Sequence, residues 1–86
     1  MENRNIQWQT QTVLPGQSSA IPIGNTSILF KNTGGTVAYV NGLELQPGES
    51  FALDCVQGEY DTTKWIVNFG PGGSGRMYVI RKIYVK

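Results

Sequence analysis

Thr36-Val-Ala-Tyr-Val-Asn-Gly-Leu-Glu-Leu-Gln46 decides the fold. Asn41-Gly42 is the preferred pair for a type I′ turn, because both central positions of that turn need positive φ. With a two-residue loop, Val40 faces Leu43 and Ala38 faces Leu45. All four then project to one side of the ladder, because side chains alternate along a strand. The other side receives Val37, Tyr39, Glu44 and Gln46, a mixed and partly wet set. Turn chemistry and hydrophobic pattern specify the same hairpin.

The same punctuation extends in both directions. Pro15-Gly16 and Pro47-Gly48 suit the central positions of type II turns, proline pre-setting φ and glycine accepting the positive φ that follows. Asn32-Thr-Gly-Gly35 reverses the chain, and Gly70-Pro-Gly-Gly-Ser-Gly75 reads as a loose, flexible connector before the last strand. Between these turns apolar residues recur at period two. No ten-residue stretch carries helical spacing unbroken by Gly, Pro or β-branched residues. Strands are predicted near 6–14, 19–24, 27–32, 36–41, 43–46, 50–56, 64–70 and 76–86. The expected fold is therefore all-β: one small antiparallel β-sandwich or barrel, jelly-roll-like, with about eight short strands. The core candidates are Ile21, Ile23, Ile28, Phe30, Ala38, Val40, Leu43, Leu45, Phe51, Leu53, Trp65, Val67 and Phe69.

The 86 residues suffice for one domain, in which only about 60–65% of the unfolded surface is buried. Residues 1–14 form its N-terminal strand or arm, and 76–86 a basic C-terminal strand. Alternation in 76–86 sets Met77, Val79, Arg81, Ile83 and Val85 on one face and Tyr78, Ile80, Lys82 and Tyr84 on the other. Neither face is polar, as in a strand covered on both sides. So small a domain has little material for that, and contact with another chain is one answer. In Ile6-Gln-Trp-Gln-Thr-Gln-Thr-Val-Leu14, Ile6, Trp8, Thr10, Thr12 and Leu14 share a side opposite Gln7, Gln9 and Gln11. That pattern fits an edge strand, or an arm that adds to a neighbour's sheet. The residues assigned to such an interface are Trp8, Met77, Tyr78, Ile80, Arg81, Ile83 and Tyr84.

Charge is sparse, with seven Lys or Arg and six Asp or Glu. Residues 1–75 contain Arg4, Lys31, Lys64 and all six acids. The last eleven contain Arg76, Arg81, Lys82 and Lys86 and no acid. That basic end fits a solubilised edge strand better than a nucleic-acid site. The chain also lacks the Lys-Gly-Phe-Gly-Phe type of string that marks an RNA-binding sheet. No apolar run reaches the roughly 18–20 residues that span a bilayer. No signal-peptide core follows the N-terminus, so synthesis in the cytoplasm is expected, with neither nucleic acid nor membrane as partner.

The chain has no histidine and one cysteine, which removes Ser-His and Cys-His nucleophilic centres and zinc sites within it. Glu59 and Asp61 are the closest carboxylate pair. A paired-carboxylate hydrolase also needs a deep cleft and one carboxyl of raised pKa. A solvated loop is the simpler reading, with calcium binding as its alternative. Gly70–Gly75 departs from a phosphate loop, since Arg76 and a strand follow instead of Lys-Ser/Thr and a helix. Cys55 alternates with Phe51 and Leu53 and reads as a small buried residue. No enzyme activity, metal or cofactor is expected.

The stretch Asn32-Thr-Gly-Gly-Thr-Val-Ala-Tyr-Val-Asn-Gly-Leu-Glu-Leu-Gln-Pro-Gly-Glu-Ser-Phe-Ala-Leu53 resembles consecutive hairpins of small β-sandwich virion proteins of tailed bacteriophages. These are capsid auxiliary or decoration, head-fibre and tail-associated parts. The resemblance covers about a quarter of the chain and implies a structural part that assembles with itself and with other virion proteins. Two other classes fit a chain without an active site. One is a module binding carbohydrate or single-stranded nucleic acid, with an exposed Trp8, Trp65 or Tyr60 as its platform. The other is a small inhibitor or accessory protein.

Overall fold

A computed structural model describes residues 5–16, 20–22, 24–56, 59 and 61–85. They form β1 (Asn5–Val13), β2 (Ala20–Ile21), β3 (Ser27–Asn32), β4 (Ala38–Val40), β5 (Leu43–Leu45), β6 (Ser50–Asp54), β7 (Trp65–Phe69) and β8 (Met77–Val85), with no helix among them. The pairing is nested: β1 with β8, β2 with β7, β3 with β6 and β4 with β5, all antiparallel. At the centre of the nest sits the Asn41-Gly42 turn. The chain is thus laid out as one long two-stranded ribbon. Bending brings β3 against β8 and β4 against β7, giving two four-stranded sheets of order β1-β8-β3-β6 and β2-β7-β4-β5.

The central hairpin has the register read from its turn, Ala38 opposite Leu45 and Val40 opposite Leu43. Asn41 has φ 47° and Gly42 φ 85°, the type I′ signature. Asn41 also fastens the turn to β7. Its backbone N–H donates to Ile66 O at 3.0 Å, its Oδ1 accepts from Ile66 N at 2.7 Å and its Nδ2 donates to Lys64 O at 3.1 Å. Asn41→Ala loses both side-chain bonds and places a Cβ-bearing residue without local compensation at positive φ. It is expected to cost about 1–2 kcal/mol in urea unfolding. The second proline turn also forms as expected, with Gly48 at φ 89° and Glu49 N donating to Gln46 O at 2.9 Å.

The two sheets face one another across a single apolar cluster. Val13, Ile28, Phe30, Met77 and Val79 come from the first sheet, and Ile21, Ala38, Val40, Leu45, Trp65 and Val67 from the second. Phe30 meets Trp65 across the gap with centroids 5.5 Å apart, within the range of a favourable aromatic pair. Eight of the predicted core residues are buried here, and Phe51 and Phe69 pack against its rim. Ile23 lies outside the described residues. Leu43 and Leu53 do not belong to the core: they are 45% and 43% exposed. Each has inward parity but stands on an outermost strand, β5 or β6, with no further strand to close over it. Val13, Met77 and Val79 fill the core instead.

The Gly70–Gly75 segment is not a loose connector. It is tied down by Gly35 N to Ser74 O (2.9 Å) and Gly70 N to Val37 O (2.8 Å), and Arg76 just after it accepts at O from Thr33 N (3.0 Å) and Gly34 N (3.1 Å) of the turn after β3. Its glycines allow this close approach. A Cβ on Gly75 would stand 2.5 Å from Phe69 Cδ1, and one on Gly70 2.5 Å from Val37 Cγ1.

Candidate interaction surface

β1 and β8 are paired over nine residues each, from Asn5 opposite Val85 to Val13 opposite Met77. On its other side β8 meets β3 only from Met77 to Lys82, so the far end of the ribbon projects past the rest of the sheet. Opposed residues share a face, and the registers therefore give the whole outward grid. Ile6, Trp8, Thr10 and Thr12 lie beside Tyr84, Lys82, Ile80 and Tyr78. Next come Ser27, Leu29 and Lys31, and last Asp54, Ala52 and Ser50. Trp8 is 57% and Ile6 49% exposed, while Leu29, Tyr78, Ile80 and Tyr84 are half-buried. Lys82 Nζ stands over the Trp8 ring, 5.6 Å from its centroid, a cation–π contact that leaves the indole at the surface.

The seven residues assigned from sequence separate by parity. Trp8, Tyr78, Ile80 and Tyr84 share the outward face. Met77 and Arg81 are buried under the second sheet, and Ile83 is half-buried on that inward side. The inward covering of β8 therefore comes from within the chain. Ile6, Thr10, Leu29 and Lys82 complete the outward face without having been assigned to it. The parity shared by Ile6, Thr10 and Trp8 was the available signal.

The inward side of β1 is the glutamine side, with Gln9 and Gln11 half-buried and Val13 buried. Arg81 explains this choice. Opposite Gln9 in the ladder, it donates from Nη2 to Gln9 Oε1 and from Nη1 to Asn25 Oδ1 at 3.0 Å. Burial lowers its pKa, and the two amide oxygens accept from two of its three nitrogens, while Nε is buried without a hydrogen-bond partner among the described residues. Of the terminal cations, Arg81 is thus withdrawn from the surface. Arg76 bonds Thr33 through Nε to Oγ1 (3.2 Å) and Nη2 to O (3.4 Å). Lys86 lies outside the described residues.

Asp61 has a structural partner set. Its Oδ1 accepts from Thr63 Oγ1 at 2.6 Å and Thr63 N at 3.0 Å, and its Oδ2 from Trp65 Nε1 at 2.7 Å. Burial pushes the carboxyl up, but these three bonds outweigh it and hold the pKa below the usual carboxylate range. Because the folded pKa is the lower one, the contribution is present above the unfolded value of about 3.9. It is lost as pH falls through the folded value. Urea unfolding between pH 5 and pH 2, values spanning about that window, is expected to show this acid loss in the wild type and a flatter limb in Asp61→Ala. Glu59 turns elsewhere, its Oε1 accepting from Val56 N at 3.2 Å. Among the described residues no three His, Cys, Asp or Glu side chains gather as a metal set. Cys55 is half-buried, with its thiol pKa raised by burial and then by Asp61, Glu59 and Asp54, against a smaller lowering by Lys82. That disfavours the thiolate on which reactivity depends. No helix among the described residues is long and apolar enough to cross a membrane. Trp65 is buried, and Tyr60 lies outside the described residues, which leaves Trp8 as the described exposed indole.

No known protein family matches this sequence, and no curated protein does. Among solved structures the chain is similar to a de novo designed double-stranded β-helix determined by solution NMR. Identity is 18%, with 88% of this chain and 97% of that one covered at a TM-score of 0.50. The likeness concerns the fold alone.

Proposed function

We propose that this chain is a non-catalytic structural module that works by self-assembly, a virion part of the kind its turn sequences resemble. The observation that carries the reading is the outward face of the β1–β8 ribbon, where Ile6 and Trp8 are 49% and 57% exposed beside Tyr84, Ile80 and Tyr78. A monomer gains nothing by leaving that apolar area in water, whereas an assembly recovers about 25 cal/mol for each Å² it covers. The nested pairing supports the finer description of the fold as a small jelly-roll sandwich. That architecture serves viral capsid and lectin domains, among others, so the fold accommodates this role without singling it out. On this reading the chain's working location is the particle, and its partners are further copies and neighbouring virion proteins.

Size-exclusion chromatography with light scattering tests the proposal. A symmetric oligomer is expected, and a clean monomer at about 100 μM, where even weak pairs form, overturns it. A second reading is favoured by Trp8 itself: an indole 57% exposed on a sheet face is also a sugar platform. Glycan-array binding abolished by Trp8→Ala would select that reading, and silence on the array removes it.

A further inference from the structure

The two sheets have four outermost strands: β1 and β6 in one, β2 and β5 in the other. Unpaired main-chain N–H and C=O groups on such strands attract other strands, and proteins guard them with brevity, charge or proline. Three of the four are guarded. β2 has two residues, β5 has three with Glu44 at its centre, and β6 has five ending in Asp54. β1 has nine residues, Asn5-Ile-Gln-Trp-Gln-Thr-Gln-Thr-Val13, with no charge and no proline. Among the described residues it pairs with β8 alone. It is the longest free edge and the unguarded one.

We infer that β1 is a homodimerisation edge, pairing antiparallel with β1 of a second copy about a twofold axis near Gln9. This rests on the assembly reading above and names its partner and its mode. The strand is self-complementary in that register. On the outward face Trp8 lies opposite the second copy's Thr10 and Ile6 opposite its Thr12. On the inward face Gln7 meets Gln11 and Gln9 meets its own counterpart. Every pair keeps inward with inward and outward with outward, as strand periodicity requires, and no like charges are opposed. The nearest cations are Lys82 on the outward face and Arg81 on the inward face, each three strand spacings or about 14 Å from its counterpart, main chain to main chain, and each Arg81 is held by Gln9 and Asn25 of its own copy. That exceeds a Debye length of about 8 Å at physiological salt, so they barely resist the union. The product is one eight-stranded sheet with both apolar outward faces on the same side. A second copy is favoured over an unrelated strand because the neutral strand opposes no like charges and sets its large Trp8 and Ile6 against the small Thr10 and Thr12 of its counterpart.

Sedimentation velocity on the full chain and on Thr10→Glu is the decisive experiment, with amide hydrogen exchange of the wild type as the second measurement. Thr10 is exposed, so the monomer tolerates the change. In the dimer the two introduced carboxylates sit diagonally, about 7–8 Å apart. The wild type is expected to dimerise, with β1 amides more protected as concentration rises, and Thr10→Glu to weaken the dimer about tenfold, as like charges inside a Debye length should. If the wild type associates with unchanged affinity in Thr10→Glu and β1 exchange ignores concentration, the edge is not the contact, although self-assembly stands. A monomer at about 100 μM overturns the edge and the assembly reading together. Should Thr10→Glu fail to fold, wild-type exchange along β1 separates the outcomes by itself: protection that rises with concentration supports the edge, and protection that does not overturns it.

Discussion

Gly34→Ala is expected to cost about 3 kcal/mol, while the same change at the adjacent Gly35 is expected to be neutral or to stabilise by about 0.5 kcal/mol. A Cβ at Gly34 would stand 2.5 Å from Arg76 N and 2.9 Å from Gly75 C. Both are main-chain atoms, which have no rotamer with which to step aside. Nor can the strands separate cheaply, because the close approach is what permits Gly34 N to Arg76 O and Gly35 N to Ser74 O. The location amplifies the effect. The turn after β3 and the segment before β8 both carry the chain between the two sheets, so prising them apart loosens one end of the core. At Gly35 the nearest atoms are Ser74 Cβ at 3.5 Å and Oγ at 3.6 Å, ordinary contact distances. There the main effect is on the unfolded chain, which loses conformational freedom when glycine becomes alanine. For a domain of this size 3 kcal/mol lowers Tm by about 12–24 °C. Urea unfolding should show a lower midpoint with an unchanged m-value for Gly34→Ala and no loss for Gly35→Ala. Equal losses at both positions would show that flexibility, not close approach, selects glycine in this turn.

The contrast between the two glycines also marks what local sequence carries. Turn type is a local property, so Asn41-Gly42, Pro15-Gly16 and Pro47-Gly48 announce their geometry, and the hairpin register follows from the first of them. Each of the eight strands among the described residues overlaps a stretch that alternation and turn chemistry mark as a strand. Which glycine must be glycine because another strand crosses it is a non-local property, and 70–75 consequently reads as loose when it is closely docked. Which side of β1 turns inward is non-local for a related reason. Alternation separates Ile6 and Trp8 from three glutamines without telling which side is inward, and the inward side supplies an acceptor to Arg81, 72 residues away. Leu43 and Leu53 carry the correct parity and still miss the core, because parity does not tell which strand ends up outermost. For the candidate surface, the sequence separates the two faces of β8 but not which one the second sheet covers. Met77, Arg81 and Ile83 therefore group with Tyr78, Ile80 and Tyr84 when judged by residue type, yet lie on the opposite side of the sheet.

Asn32→Asp, a change of one atom, is expected to destabilise the protein by about 3–5 kcal/mol at pH 7. Asn32 ends β3 with none of its surface exposed, so its amide has no recourse to water. Its Nδ2 donates to Thr36 O and to Leu45 O, both at 2.9 Å, and its Oδ1 accepts from Gly34 N at 3.1 Å. One side chain thereby joins the first sheet to the turn that leaves it and to β5 in the second sheet. An ionised carboxylate keeps the bond from Gly34 but turns two donations into two close oxygen–oxygen repulsions, in a site that already disfavours charge. Protonation restores one donor, so the folded variant holds its proton more tightly than the unfolded chain. Its folded pKa is thus the raised one. The penalty relative to wild type grows as pH rises above the unfolded value of about 3.9, and its ionisation part disappears below it. Referring each measurement to wild type at the same pH removes the Asp61 contribution, which both proteins share. Asn32→Leu provides the uncharged comparison. It removes the amide donor from Thr36 O and Leu45 O and leaves Gly34 N with Arg76 O alone, for about 2–3 kcal/mol, with no dependence on pH beyond that of the wild type. A loss in Asn32→Asp that does not shrink toward acid would mean that charge is not its source, and that the two carbonyls are not aimed at this amide.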